Sequence, residues 1–145
     1  MVNVKLNSSC SCGQCRVDVG QKPIARFYCH CSICQKIYQS NCADVAVVTS
    51  KNVQVLSESA IEFKKHKHLF ALQRGTCKTC GDPVVATLFG LLSFLPVRNF
   101  VSAEQLPMSQ ARIFCCNKDK ELPCTDGYFK SQLLVTSLII KGLFS

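Results

Sequence analysis

Short alternations of apolar and polar residues dominate the chain. Cys15, Val17 and Val19 alternate with Arg16, Asp18 and Gly20, the period of two that half-buries a strand. The runs Ala43–Thr49 and Val53–Leu56 flank Ser50-Lys51-Asn52 and predict a hairpin. Further strands are expected at Leu69–Gln73, Val84–Leu88, Ser93–Val97, Arg112–Cys116 and Tyr128–Val135. Gly and Pro fall mostly between these runs, where turns need them. One short helix is predicted over Ile33–Gln39, with Ser32 as its N-cap and Gln35 reaching back in a capping box. The expected fold class is therefore mainly β. A single domain is expected over residues 4–130, followed by a C-terminal strand or tail over residues 131–145.

Length and composition agree with that picture. At 145 residues, 48% hydrophobic and 18% charged, the chain is long enough to bury a core without staples. Two apolar stretches, Val84–Val97 and Leu133–Ile140, fall short of the roughly 18 to 20 apolar residues that span a bilayer, so both read as buried strands. Met1–Asn7 lacks the basic start, apolar stretch and cleavage site of a signal peptide, which points to a reducing, cytoplasmic setting.

Cysteine changes the picture most. Seven of the twelve cysteines lie in three clusters: Cys10-Ser11-Cys12, Cys29-His30-Cys31-Ser32-Ile33-Cys34 and Cys77-Lys78-Thr79-Cys80. Thiolates two or three residues apart on a turn can share one tetrahedral Zn²⁺, whereas a disulfide wants Cα atoms about 5.5 Å apart in a defined torsion. Glycine follows directly after Cys12 and after Cys80, which lets each turn fold back on itself. Two such turns supply four thiolates and close a structural site on Cys10, Cys12, Cys77 and Cys80. Cys15 shares the phase of Val17 and Val19 and reads as a core residue.

Cys29, Cys31 and Cys34 offer three thiolates without an adjacent glycine. Three protein ligands and an open position are the catalytic arrangement for zinc. Cys34 also falls in the first turn of the predicted helix, which favours a thiolate. A second closed site, completed by Cys42, Cys115, Cys116 or Cys124, is the alternative. His30 is expected to point away from the metal, and His66 and His68 to lie on the surface.

The formal charge is +8, and seven thiolates on two Zn²⁺ would bring it to about +5. The densest basic stretch, Lys64-Lys65-His66-Lys67-His68, lacks interleaved aromatics that could stack bases. It reads as a solvated turn or strand edge rather than a nucleic-acid surface. Nothing in the sequence sets the oligomeric state.

With these motifs in place, the chain resembles the family of glutathione-dependent formaldehyde-activating enzymes, which also contains centromere protein V. The carrying residues are Cys10–Gly13, Cys29–Lys36 and Cys77–Pro83, over roughly Leu6–Leu106. The resemblance implies a β-tent fold shared with methionine-R-sulfoxide reductases. It implies structural zinc on Cys10, Cys12, Cys77 and Cys80, and a second, catalytic and labile zinc on Cys29, Cys31 and Cys34. It further implies a carbon–sulfur lyase that joins glutathione, or a similar small thiol, to formaldehyde or another small aldehyde as S-hydroxymethylglutathione. Arg26, Lys36, Arg98 and Arg112 are the cations available for glutathione's carboxylates. The chain departs from the family at Tyr38-Gln39, where a small Ser-Gly pair is usual, at Thr76 before the last cysteine pair, and in having no tryptophan. The rival readings are a non-catalytic zinc module that binds a partner, and a thiol redox enzyme working through Cys115, Cys116 and Cys124.

Overall fold

The computed structural model describes residues 5–30, 32–65, 72–113, 124–125 and 128–144. In chain order the elements are β1 (Leu6–Ser9), β2 (Arg16–Val19), β3 (Ala25–Cys29), α1 (Ser32–Tyr38), β4 (Ala43–Thr49), β5 (Val53–Val55), β6 (Ile61–Lys65) and β7 (Leu72–Cys77). They continue as β8 (Pro83–Leu88), β9 (Leu92–Pro96), β10 (Arg112–Ile113), β11 (Cys124–Thr125) and α2 (Tyr128–Leu143). Short 3-10 turns link several of them. Among the described residues the strands form a three-stranded sheet, β1-β2-β5, and an eight-stranded sheet, β11-β10-β3-β4-β9-β8-β7-β6. Pairing is antiparallel except at β10, which runs parallel to β3 and β11. The mainly β fold expected from the sequence is the fold observed.

β4 shows how the layers arise. Its alternate residues Ala43, Val45 and Val47 join one apolar cluster, while Ala46 and Val48 join another. A strand buried on both faces reads as a continuous apolar run, as this one does. On the first face, Leu6, Val17 and Val19 of the small sheet pack with Ala46, Val48, Val84 and Leu95. On the second, Phe27, Val45 and Val47 pack with Cys34 of α1 and Ile139 of α2. The large sheet thus lies between a smaller sheet and a helical layer.

Two local expectations are corrected. Ala43–Thr49 and Val53–Leu56 do not form a hairpin with each other. β4 is already paired on both sides, by β3 and β9. The chain therefore passes through a 3-10 turn at Ser50–Asn52 and delivers β5 to β2, with Val17 opposite Val55. Tyr128–Val135 and the supposed C-terminal strand are instead the helix α2, which reaches Leu143. Its Gly142 lies so close to the carbonyl of Ile24 that a Cβ there would overlap it. Gln35 donates its amide forward to the Asn41 carbonyl, at 3.0 Å, which secures the exit of α1; the side chain of Ser32, the expected N-cap, is not among those described. Leu69–Gln73 and Arg112–Cys116 lie partly outside the described residues; what is described there is β7 from Leu72 and β10.

β6 is a terminal strand of the large sheet. Lys64 and Lys65 on it are exposed, and Lys64 makes a loose surface contact with Glu62 at 3.6 Å. Lysines on a sheet edge discourage edge-to-edge pairing with another chain.

Candidate metal centre and the adjoining cleft

Two turns build the first site. The β1–β2 turn carries Cys10 and Cys12, and the β7–β8 turn carries Cys77 and Cys80. Each turn closes in the same way. The N–H of Gly13 donates to the Cys10 carbonyl at 3.1 Å, and that of Gly81 to the Cys77 carbonyl at 2.9 Å. Both glycines have left-handed φ, +78° and +77°, and a Cβ at either would meet open space. The glycine is needed for its backbone conformation and not for lack of room.

Asp82 fastens the turns together. Its Oδ2 accepts the N–H of Ser11 at 2.8 Å, across 71 residues of sequence. The bond from Ser11 holds the Asp82 carboxyl below the usual carboxylate range, with Arg98 adding to the effect. Sequence reasoning assigned this residue no role. Its signal was its place directly after the Cys-Gly of the last motif.

The four sulfurs converge. Cys10 Sγ lies 3.5 Å from Cys12 Sγ, and Cys12 Sγ lies 3.6 Å from Cys77 Sγ. All four sulfurs fall within 4.8 Å of one another. Zn–S bonds of about 2.3 Å at tetrahedral angles place sulfurs about 3.8 Å apart, whereas a disulfide needs about 2.05 Å. Donor type, number and spacing fit one tetrahedral zinc.

The thiols are also unequal. Burial opposes ionisation of Cys77, but the N–H groups of Cys80 and Thr79 and the thiols of Cys15 and Cys12 outweigh it and bring its pKa down to about 6. Cys10 moves down as well, burial opposing and the Cys15 N–H prevailing at 3.3 Å. Cys12 moves up to about 12: the Gln14 N–H favours its thiolate, but desolvation and the three neighbouring sulfurs prevail. Like charges this close cannot all ionise unaided. A divalent cation removes that repulsion, as four-thiolate metal binding requires.

Cys15 is fully buried, and its thiol faces the Ala60 carbonyl at 3.5 Å. Burial, then the sulfurs of Cys77 and Cys10, pushes its pKa up to about 12. It lines the cluster without belonging to the group of four.

The second cysteine motif lies in the other apolar layer. Cys29 closes β3 opposite Ala43, and Cys34 lies on α1; both are buried in one cluster with Val45, Val47 and Ile139. Cys31, His66, His68, Cys115 and Cys116 lie outside the described residues, and of Cys124 only the backbone at the start of β11 is described. Tyr38 follows Cys34 by one helical turn. Burial, then the charges of Cys34 and Cys29, drives its phenol far above the usual range, with Arg98 and Arg74 opposing, so it stays protonated.

The four candidate cations separate clearly. Arg26 is committed to a two-pronged pair with Asp44, at 3.0 and 2.8 Å, and to the Pro107 carbonyl. Lys36 is exposed on α1, and the side chain of Arg112 is not among those described. Arg98 lines a cleft of about 420 Å³ together with Ser9, Ser11, Tyr38, Gln39, Asp82 and others. Its guanidinium stacks 5.1 Å from the centre of the Tyr38 ring and donates to the Tyr38 carbonyl at 2.9 Å. Gln39 ends α1 with φ of +50°, a conformation that glycine adopts without cost.

Fold and site together define a mainly β protein that gathers cysteines from two distant turns into a centre able to hold a metal. The sequence profile of the glutathione-dependent formaldehyde-activating enzyme family matches residues 5–117, and the chain belongs to that family. Among solved structures, a crystal structure of a Rhodobacter sphaeroides protein is similar in fold, with a TM-score of 0.56 at 15% identity, over 82% of this chain and 99% of that one. No curated protein matches the sequence. No helix among the described residues is long and apolar enough to cross a membrane.

Proposed function

We propose that the protein is a zinc-dependent carbon–sulfur lyase, working in a reducing cytoplasm on the adduct of a small thiol and a small aldehyde, as in glutathione plus formaldehyde giving S-hydroxymethylglutathione. The observation that carries this reading is the separation of the cysteines into two settings, within a chain of this family. Cys10, Cys12, Cys77 and Cys80 would hold a structural zinc. They leave no position for substrate, because four sulfurs complete a tetrahedral shell. Cys29 and Cys34, with Cys31 between them, would hold a second zinc, which supplies Lewis acidity and lowers the pKa of a thiol.

The chain's own residues set the conditions for the reaction. The apolar layer around Cys29 and Cys34 excludes water, which protects a labile adduct and strengthens electrostatic interactions. α1 carries Cys34 and Tyr38 on one face, their backbone positions one turn, about 6 Å, apart along the axis. Addition forms a C–S bond and breaks the carbonyl π bond, while a proton leaves sulfur and one reaches oxygen. Cleavage reverses each change, and no oxidant or reductant is consumed.

The test is exchange NMR on a mixture of glutathione and formaldehyde. Faster interconversion with the zinc-loaded protein than with buffer supports the lyase, and equal rates contradict it. A non-catalytic partner-binding module remains a second reading, favoured by the exposed Leu133, Ile140, Leu143 and Phe144 on and after α2. Equal rates would leave that reading standing.

A further inference from the structure

The cleft between the end of α1 and the Cys77–Cys80 turn holds charges of both signs. Arg98 supplies a guanidinium that is partly exposed, and Asp82 supplies a carboxylate 3.8 Å away. That distance is too long for a hydrogen bond, so the pair attracts without tying up the guanidinium's donors on that side. Each charge is instead fixed from behind. Arg98 is held by the Tyr38 ring and carbonyl, and Asp82 by the N–H of Ser11. The remaining lining is polar at Ser9, Ser11, Gln39 and Asn99, and Ile37, Gly81 and Cys80 of the first metal centre complete it. A volume of about 420 Å³ falls in the range of small-ligand sites.

We infer that this cleft binds a zwitterionic α-amino-acid head group, with its carboxylate on Arg98 and its ammonium on Asp82. A ligand bearing only a carboxylate would meet Asp82 as a like charge. One bearing only an amine would meet Arg98 in the same way. A head group carrying both charges on one carbon matches the pair. The planar guanidinium is suited to a two-pronged carboxylate contact. Tyr38 both lines the cleft and lies one helical turn from Cys34, so the thiol arm of such a ligand would lie along α1, between the cleft and the second cysteine motif. The inference rests on the proposed lyase function for the identity of that arm, and on the cleft alone for the head group. Arg98 and Asp82 are thus specificity-determining residues for a γ-glutamyl-type thiol.

The experiment measures binding without turnover. S-methylglutathione, its N-acetyl derivative and its γ-glutamyl α-carboxamide are titrated into zinc-loaded protein and into the variants Arg98→Gln and Asp82→Asn, with affinity read by NMR shift changes. Wild-type protein is expected to bind S-methylglutathione about ten- to a hundredfold more tightly than either derivative, the loss attached to one charge-assisted contact. Arg98→Gln should weaken S-methylglutathione by a similar factor and leave the carboxamide unchanged. Asp82→Asn, which keeps an acceptor for Ser11, should weaken S-methylglutathione and leave the N-acetyl form unchanged, with zinc content retained. Equal affinity for all three compounds, or no binding of S-methylglutathione, overturns the inference. Discrimination without formaldehyde exchange keeps the head-group site and removes the lyase. Exchange without discrimination does the reverse.

Discussion

Cys10, Cys12, Cys77 and Cys80 meet on two glycine-supported loops that the sheets hold side by side, whereas Cys29 and Cys34 lie where a strand hands over to a helix inside an apolar layer. The same residue type therefore occupies two settings. In the first, each loop brings its own backbone turn and Asp82 clamps them, so the sulfurs converge. In the second, strand and helix pack together on Val45 and Val47. On the proposed reading, a closed thiolate shell belongs to the folding of the chain, and an embedded cysteine pair beside a charged cleft belongs to its chemistry.

The contrast is broken most severely by Cys77→Ser. If the first region holds structural zinc, this variant loses one zinc per chain and with it stabilisation on the order of 10 kcal/mol, the scale of structural zinc binding. Circular dichroism and metal analysis would then report a chain that does not fold cooperatively. A normal melt at reduced zinc content would contradict the assignment. Cys34→Ala is expected to behave differently, costing about 1 to 2 kcal/mol of packing while abolishing catalysed exchange. Its urea midpoint should shift only slightly.

Gly142→Ala sharpens the comparison from the helical side. A methyl group there overlaps the Ile24 carbonyl and pushes α2 from β3, loosening the layer around Cys29 and Cys34. The expected destabilisation is about 1 to 3 kcal/mol. Backbone NMR shifts should change at Ile24 and Phe27 while those of Gly13 and Gly81 stay fixed. Movement at both regions would show that they are not independent.

The smallest effect is a pH dependence confined to the first region. In the metal-free fold, burial is outweighed by hydrogen bonds from Cys80 and Thr79, which bring the Cys77 thiol down to about 6, against an ordinary value of 9.0. A folded-state pKa lowered in this way contributes stability that is complete above pH 9.0 and is lost as pH falls through about 6. Zinc retention against a chelating indicator should accordingly decline on acidification through that range. Retention that is flat down to pH 5, or that fails on raising the pH, contradicts the sign.

Much of this organisation was legible in the residues. Alternation at Val17 and Val19 and the unbroken run of β4 marked strands correctly, because burial on one or two faces leaves that trace. The Cys-Gly turns showed that four sulfurs could meet. What escaped was set by tertiary neighbours. β5 switches sheets because both sides of β4 are taken, a fact no local pattern carries. The run Leu133–Ile140 mixes Leu with β-branched Val135, Thr136, Ile139 and Ile140, and such residues favour strands until packing decides otherwise. Here the packing of Ile139 and Gly142 against the second layer decides for helix. Asp82 carried no assigned role in the sequence, and Arg98 was one of four available cations. Their proximity, 3.8 Å, emerges only when the two loops and the end of α1 are brought together.

The most direct test of this division is the rate of glutathione–formaldehyde exchange, measured by NMR on Cys34→Ala beside the unaltered protein. The account predicts that catalysed exchange disappears while the variant keeps its fold and the zinc bound by Cys10, Cys12, Cys77 and Cys80. A catalysed rate in Cys34→Ala equal to that of the unaltered protein would contradict it.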